Sequence, residues 1–242
     1  MNLIIDVGNT LVKYAVFDGK NLLTDQQSDR EGFVQNIKAL FEIYPKIDNA
    51  IISSVVTLSD KIVKVLTLFC PVHLLSHTSK IPFKNSYASP ETLGIDRIAL
   101  ATAAFYKYPS ANVLVIDMGT CITYDMINDY GEYLGGAISP GADMRYRAMH
   151  NETDALPQLA LSPILDTIGN TTESSMHSGV VNGITQELEG VIGQYQQRFS
   201  HLTVILTGGN AQFFAKRLKN SIFANSKFLL EGLNFLLEYN KN

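Results

Sequence analysis

Two cysteines in 242 residues cannot build a disulfide framework, and Cys70 and Cys121 form no C-x-x-C pair, so a reducing compartment is the natural setting. Long apolar runs are missing too. No segment approaches the roughly 18 uncharged apolar residues of a membrane span, and the opening Met1–Asp6 lacks the basic and then apolar pattern of a signal peptide. Nor is there a basic excess: 19 Lys and Arg against 23 Asp and Glu give a net charge of −4, which argues against a nucleic-acid-binding surface. Catalytic signatures are absent as well. There is no G-x-x-x-x-G-K-[ST] phosphate loop, no G-x-G-x-x-G, no G-x-S-x-G and no H-E-x-x-H. Among the five histidines, His73 and His77 stand four apart but have no third ligand beside them. These absences lead us to expect a soluble, cytoplasmic protein that binds neither nucleic acid nor membrane.

What is present reads as a globular chain. Hydrophobic residues make up 46% and charged residues 17%, enough apolar material for a sizeable core. The length suits one large domain or two of about 120 residues each. Strand-like runs (Leu3-Ile4-Ile5, Leu11 to Phe17, Ala50 to Val55, Val72 to Leu75, Val113 to Ile116, Ile122 to Ile127, Thr203 to Thr207) alternate with helical spacings. Those spacings cover Phe33 to Tyr44, Ile62 to Phe69, Ile98 to Tyr106, a segment after Gly141, and the long Thr171 to Phe199. Two more lie around Phe213 to Leu218 and Leu233 to Tyr239. The alternation predicts an α/β class. Asp18-Gly19 is a hairpin signal.

One element occurs twice. Leu3-Ile4-Ile5-Asp6-x-Gly8 and Val115-Ile116-Asp117-x-Gly119 share a form at an offset of 111 residues, close to half the chain. Two copies at half-length predict a duplicated domain rather than a solenoid. The expected halves are residues 1–110 and 111–242.

Each copy ends a strand in a carboxylate beside a glycine and a hydroxyl. In Asp6-Val7-Gly8-Asn9-Thr10 the glycine admits a ligand close to the backbone, and Asn9 and Thr10 add donors that suit a phosphate. Asp6 would repel phosphate directly and would instead hold Mg²⁺, often through water. Lys13 can reach back as a point charge. An ordinary hairpin with Asp and Asn as turn formers remains the alternative. Two such turns on related domains would face each other across a cleft. Thr207-Gly208-Gly209 ends a further strand before a helix, a setting that suits a phosphate or a nucleoside face. Thr92-Leu93-Gly94-Ile95-Asp96-Arg97 opens another helix. Asp96 can accept the proton of a bound hydroxyl during phosphoryl transfer, and Arg97 can hold a carboxylate by two hydrogen bonds. The alternative there is a first-turn helix carboxylate beside a surface arginine. Cys121 reads as a small buried hydrophobe. Gly179, Gly183, Gly190 and Gly193 in the long helix point to close helix approach or to local bending.

The ordered set Asp6-Val7-Gly8-Asn9-Thr10 with Lys13, Ser53-Ser54-Val55-Val56, Gly94-Ile95-Asp96-Arg97, Asp117-Met118-Gly119-Thr120, Gly135 to Gly141 and Thr207-Gly208-Gly209 resembles type III pantothenate kinases. The resemblance runs from residue 3 to about 233. It implies the acetate and sugar kinase/Hsp70/actin fold: two ribonuclease-H-like domains with the active site in the cleft between them. It implies phosphorylation of pantothenate at its 4′-hydroxyl by ATP, the first step of coenzyme A synthesis. Asp96 would be the catalytic base. Asp6, Val7, Gly8, Asn9, Thr10, Leu11, Val12 and Lys13 would bind ATP phosphates, with Thr120 a further ATP contact. Tyr87, Gly94, Ile95, Asp96, Arg97 and Thr172 would bind pantothenate, and Asp117 would hold potassium. The resemblance also implies a homodimer that needs a divalent ion, usually Mg²⁺, and K⁺ or NH₄⁺. The second turn departs from the family by continuing as Cys121-Ile122-Thr123. The alternatives are a kinase of another small hydroxylated acid or sugar, and a non-catalytic nucleotide-binding accessory factor of the same fold.

Overall fold

The computed structural model describes residues 1–8, 11–56, 60–164 and 166–241. In chain order the elements are β1 (Asn2–Val7), β2 (Val12–Asp18), β3 (Asn21–Ser28), α1 (Phe33–Ile43), β4 (Asn49–Ser54), α2 (Asp60–Thr67), β5 (Val72–Leu74), β6 (Lys84–Asn85) and α3 (Ile95–Lys107). They continue as β7 (Val113–Met118), β8 (Cys121–Ile127), β9 (Glu132–Pro140), α4 (Ala142–Asn151), α5 (Thr172–Arg198), β10 (Thr203–Thr207), α6 (Ala211–Ala215), β11 (Phe223–Ala224) and α7 (Phe228–Asn240). The hairpin signal at Asp18-Gly19 is used as such. β2 and β3 pair antiparallel with Asp18 opposite Asn21, and Gly19 has a φ of 58°. The helix expected around Phe213 to Leu218 is shorter and lies earlier. It closes in a turn in which the Arg217 N–H donates to the Phe214 carbonyl (2.9 Å), and beyond it Glu189 on α5 accepts from the backbone N–H of Lys219 and from the Asn220 side chain (2.6 Å).

The chain folds as two compact units. The first comprises Met1–Pro109, Gly131–Tyr133 and Lys227–Asn242, the second Ser110–Tyr130 and Leu134–Ser226. In the first unit the sheet order is β3-β2-β1-β4-β5, with β1 antiparallel to β2 and parallel to β4. Leu3, Ile5 and Val7 share a face with Val12, Tyr14, Val16, Ala50 and Ile52, and that face packs on Phe33, Ile37 and Leu40 of α1. Both α3 and α7 pack against the sheet as well, and against each other. Their close approach depends on Gly232, where a Cβ would stand 2.0 Å from the Ala99 carbonyl oxygen. Asn234 on α7 donates to the Gly19 carbonyl (2.9 Å) and accepts from Asn2 (2.6 Å), which ties the helix to β1 and the hairpin. β6 pairs with Glu132 and Tyr133, which also belong to this unit.

The second unit repeats the plan. Its strands run β11-β10-β7-β8-β9, with β7 antiparallel to β8 and parallel to β10. With β7 set equivalent to β1, the two orders are the same. Leu114, Ile116 and Met118 join Ile122, Tyr124, Met126, Val204 and Leu206 on the face that meets α4 and α5. α5 runs within one residue of its expected limits at each end. Thr171 caps it in a capping box with Ser174, and its buried stripe is Met176, Val180, Ile184, Leu188 and Ile192. A Cβ built at any of its four glycines meets nothing within 4 Å, so close approach within this chain does not account for them.

Candidate active site

Strands alternate sides, so a residue whose neighbours all face the core points the other way. Leu3, Ile5 and Val7 enter the core beneath α1, so Asp6 projects from the opposite face at the end of β1. Its register partners are Lys13 on β2 and Ser53 on β4. Asp6 is 6% exposed and Ser53 0%. Burial pushes the Asp6 carboxyl up to about 6, and Asp96 pushes the same way, while Lys13 and Ser53 pull it down. Ser53 Oγ lies beside the carboxylate without hydrogen-bond geometry, and among the described residues it has no hydrogen-bond partner. A buried hydroxyl left so costs about 1–3 kcal/mol.

The turn after β1 is tied internally. The Gly8 N–H donates to the Leu11 carbonyl (3.0 Å), and the Gly8 carbonyl accepts from Arg30 (2.9 Å). The expected approach of this amide to a ligand is therefore not what the free chain shows, because Leu11 takes its hydrogen. Val7 and Val12 are buried opposite each other and offer a ligand only backbone, whereas Leu11 is exposed. Asn9 and Thr10 lie outside the described residues.

Asp96 sits in the first turn of α3, after the N-cap Gly94. It folds back so that its Oδ1 accepts from the Arg97 N–H (2.9 Å). Gly94 is required for this: a Cβ there would stand 2.4 Å from Asp96 Oδ1. Ile95, the first helical residue, is half-buried. Arg97 is buried, at 4% exposure, rather than a surface arginine, and its guanidinium lies 5.8 Å from the centre of the Tyr87 ring. Tyr87 leans in turn on Tyr133. The first unit thus brings Asp6, Lys13, Ser53 and Asp96 into electrostatic reach of one another and pairs Arg97 with Tyr87.

In the second unit Asp117 holds the place of Asp6. Its register partners are Thr123 on β8 and Thr207 on β10. Gly208 has a φ of 90°, and a Cβ there would stand 2.2 Å from Asp117 Oδ1, so only glycine fits. The role foreseen for Gly208-Gly209 before a helix N-terminus changes accordingly. α6 has five residues, and the glycine makes room for Asp117. Thr120 is exposed at the tip of the tight turn in which the Gly119 N–H donates to the Cys121 carbonyl (3.1 Å). Thr172 is exposed at the first position of α5. The neighbouring Thr171 hydroxyl is occupied by the cap, accepting from the Ser174 N–H (3.1 Å). Ser53, Thr123 and Thr207 escape a motif reading as site residues. Ser53 and Thr207 do stand in the quoted family motifs, but no motif sets either beside a carboxylate; that pairing comes from strand register.

A family model for type III pantothenate kinase matches residues 2–194. A type III pantothenate kinase of Christiangramia forsetii is 49% identical over 241 residues, covering 100% of this chain and 99% of that protein. Among solved structures, a Campylobacter jejuni protein assigned to the Baf family of transcriptional activators superimposes with a TM-score of 0.67 at 21% identity, covering 99% of both chains. A ROK family protein from Streptococcus pneumoniae, in complex with sucrose, gives 0.55 at 13% identity, again covering 99% of both. At these identities the solved structures speak for the fold alone, that of the acetate and sugar kinase/Hsp70/actin group.

Proposed function

The chain belongs to the type III pantothenate kinase family, and from that premise we propose that it transfers the γ-phosphoryl group of ATP to the 4′-hydroxyl of pantothenate, with Asp96 as general base. This is the first step of coenzyme A synthesis. The observation that carries the reading is the gathering of Asp6, Lys13 and Asp96 at one end of the first unit, close enough for Lys13 and Asp96 to act on the Asp6 carboxyl.

Phosphoryl transfer needs positioning and charge neutralisation more than covalent chemistry. Asp96 is held by the Arg97 N–H at the helix start, so its other oxygen can take the proton of the pantothenate hydroxyl. The hydroxyl oxygen bonds to phosphorus, the bond to the β-phosphate oxygen breaks, and ADP leaves. Arg97, braced by Tyr87, offers its fork to the pantothenate carboxylate. Thr172 is the threonine with a hydroxyl to spare for substrate, because Thr171 is used by the cap. Lys13 supplies fixed positive charge to the ATP phosphates, with the turn from Asp6 to Val12 and with Thr120.

Among the described residues no group of three or more His, Cys, Asp or Glu could hold a metal by itself. That fits magnesium, which keeps several waters and takes one or two carboxylates plus substrate phosphates. Asp6 would hold it, through water, and the ion would supply charge neutralisation at the phosphates. Asp117, with Thr207 and Thr123 as register partners and the buried Asp125 accepting from the Thr123 hydroxyl (3.0 Å), would suit a hard monovalent cation, potassium or ammonium. The open glycines of α5 leave a surface that this chain does not cover, in keeping with a homodimer. No helix among the described residues is long and apolar enough to cross a membrane, in keeping with a cytoplasmic enzyme.

The test is a coupled ATPase assay with and without pantothenate, in potassium and in sodium, with the phosphorylated product identified by mass. Turnover dependent on pantothenate and favoured by potassium is the expected result. Turnover on a sugar with none on pantothenate would overturn the substrate, and nucleotide binding with no turnover on any acceptor would favour an accessory factor.

A further inference from the structure

In the ligand-free fold Ser53 already lowers the Asp6 carboxyl, yet it closes no hydrogen bond of good geometry. Its side chain is wholly buried and its hydroxyl has no hydrogen-bond partner among the described residues. The turn that follows β4 does not need it. There the Ser54 hydroxyl donates to the Val56 carbonyl (2.6 Å), and the Val55 N–H donates to the Val7 carbonyl (3.2 Å). An alanine would fill the same place in the strand without leaving a polar group unsatisfied, so packing alone favours alanine. The register partner of Ser53 on β1 is Asp6, on the same sheet face. The second unit repeats the arrangement, since Thr207 is the register partner of Asp117. At the equivalent place in both sheets a buried hydroxyl therefore stands beside a strand-end carboxylate.

We propose that Ser53 is a positioning residue for Asp6: when a cation–nucleotide pair binds, the Ser53 hydroxyl donates to one Asp6 oxygen and turns the other toward the cation. This rests on the reading of Asp6 as the carboxylate that serves the ATP-bound cation. In the free chain the hydroxyl acts on the carboxylate only loosely, short of hydrogen-bond geometry, and cation binding closes that contact. Binding satisfies both groups at once.

The experiment compares wild type, Ser53→Ala, Asp6→Asn and the double variant by two measurements that do not depend on turnover. Calorimetry gives the affinity for magnesium–ATP and for ATP in chelator, and thermal denaturation gives the stability of the free chain. Ser53→Ala is expected to weaken magnesium–ATP binding by about tenfold to a hundredfold, the range for partners that orient a metal ligand. ATP in chelator should change less, and the melting temperature should hold or rise. In the Asp6→Asn background the same change should add nothing. Unchanged magnesium–ATP affinity in Ser53→Ala, an equal loss in the Asp6→Asn background, or a lowered melting temperature would each overturn the proposal. Failure of the pantothenate reading shows differently: wild type would bind magnesium–ATP and yet not phosphorylate pantothenate.

Discussion

At the end of β1, Asp6 has a lysine and a serine as its neighbours across the sheet. At the end of β7, Asp117 has two threonines. The strand orders match and the core-facing residues alternate in step, so both carboxylates have the same backbone setting. The side chains around them differ in charge. The first carboxylate carries its own counter-charge in Lys13 and is nearly dry. The second is half-buried beside Thr207 and Thr123, whose hydroxyl donates to the buried carboxylate of Asp125 (3.0 Å), with Gly208 making room at its oxygen. One fold thus offers two kinds of carboxylate. On the proposed reading the first would serve the charged nucleotide and the second a small cation.

The strongest way to sharpen that contrast is to remove the acid that acts on Asp6 within the first unit. Asp96→Asn should cut kcat by about 10²–10⁴-fold, the usual worth of a general base, while calorimetric ATP binding holds. Unchanged turnover would remove Asp96 from the base role. The next effect belongs to the second unit. Asp117→Asn should abolish the advantage of potassium over sodium, lowering kcat/KM in potassium by about tenfold to a hundredfold. A variant that still prefers potassium would break the contrast, because the cation would then lie elsewhere.

A third effect is on stability and has a defined sign. Burial lifts the Asp6 carboxyl from 3.8 to about 6, so the folded chain holds that proton more tightly than the unfolded chain does. Its stabilising contribution is complete below pH 3.8 and is lost as the pH rises through about 6. A shift of about two units corresponds to about 3 kcal/mol. Unligated Asp6→Asn should therefore gain on wild type as the pH rises from about 4 to 7, read by denaturant melts at each pH. A flat difference would mean the carboxylate is not held at a cost, and an equal gain in Asp117→Asn would break the contrast between the two turns.

The sequence made some of this legible. β1 and β7 are apolar runs closed by Asp-x-Gly, and α5 announces itself by a capping threonine followed by three-and-four spacing, because these signals are local. The length of α6 was not legible, since the apolar spacing runs on to Leu218 while the helix stops at Ala215 and the chain beyond it is held by Glu189 on another helix. Nor does the apolar pattern of α7 say which sheet it covers, because that depends on Gly232 meeting Ala99 more than a hundred residues away. Site residues divide the same way. Asp6, Asp96 and Asp117 stand in recognisable turns, whereas the pairing of Ser53 with Asp6 and of Thr207 with Asp117 comes from strand register. The burial of Arg97 against Tyr87 is likewise a tertiary fact.

The smallest effect separates two adjacent residues and asks whether the second unit contributes to substrate as well as to a cation. The Thr171 hydroxyl accepts from the Ser174 N–H, and the Thr171 backbone N–H donates in return to the Ser174 hydroxyl (2.9 Å), so this hydroxyl belongs to the helix cap. Thr171→Ala should cost about 1 kcal/mol of stability, a fall in melting temperature of about 2–4 °C for a chain of this size. Thr172 is exposed at the next position and serves no cap. Thr172→Ala should leave the melting temperature near that of wild type and raise the pantothenate KM by about two- to tenfold, the worth of one neutral hydrogen bond. The two variants should therefore divide cleanly, one in a melt and the other in a KM measurement. If Thr171→Ala raises KM while Thr172→Ala does nothing, substrate uses the capping hydroxyl, and the second unit contributes through the helix start rather than through a residue left free beside it.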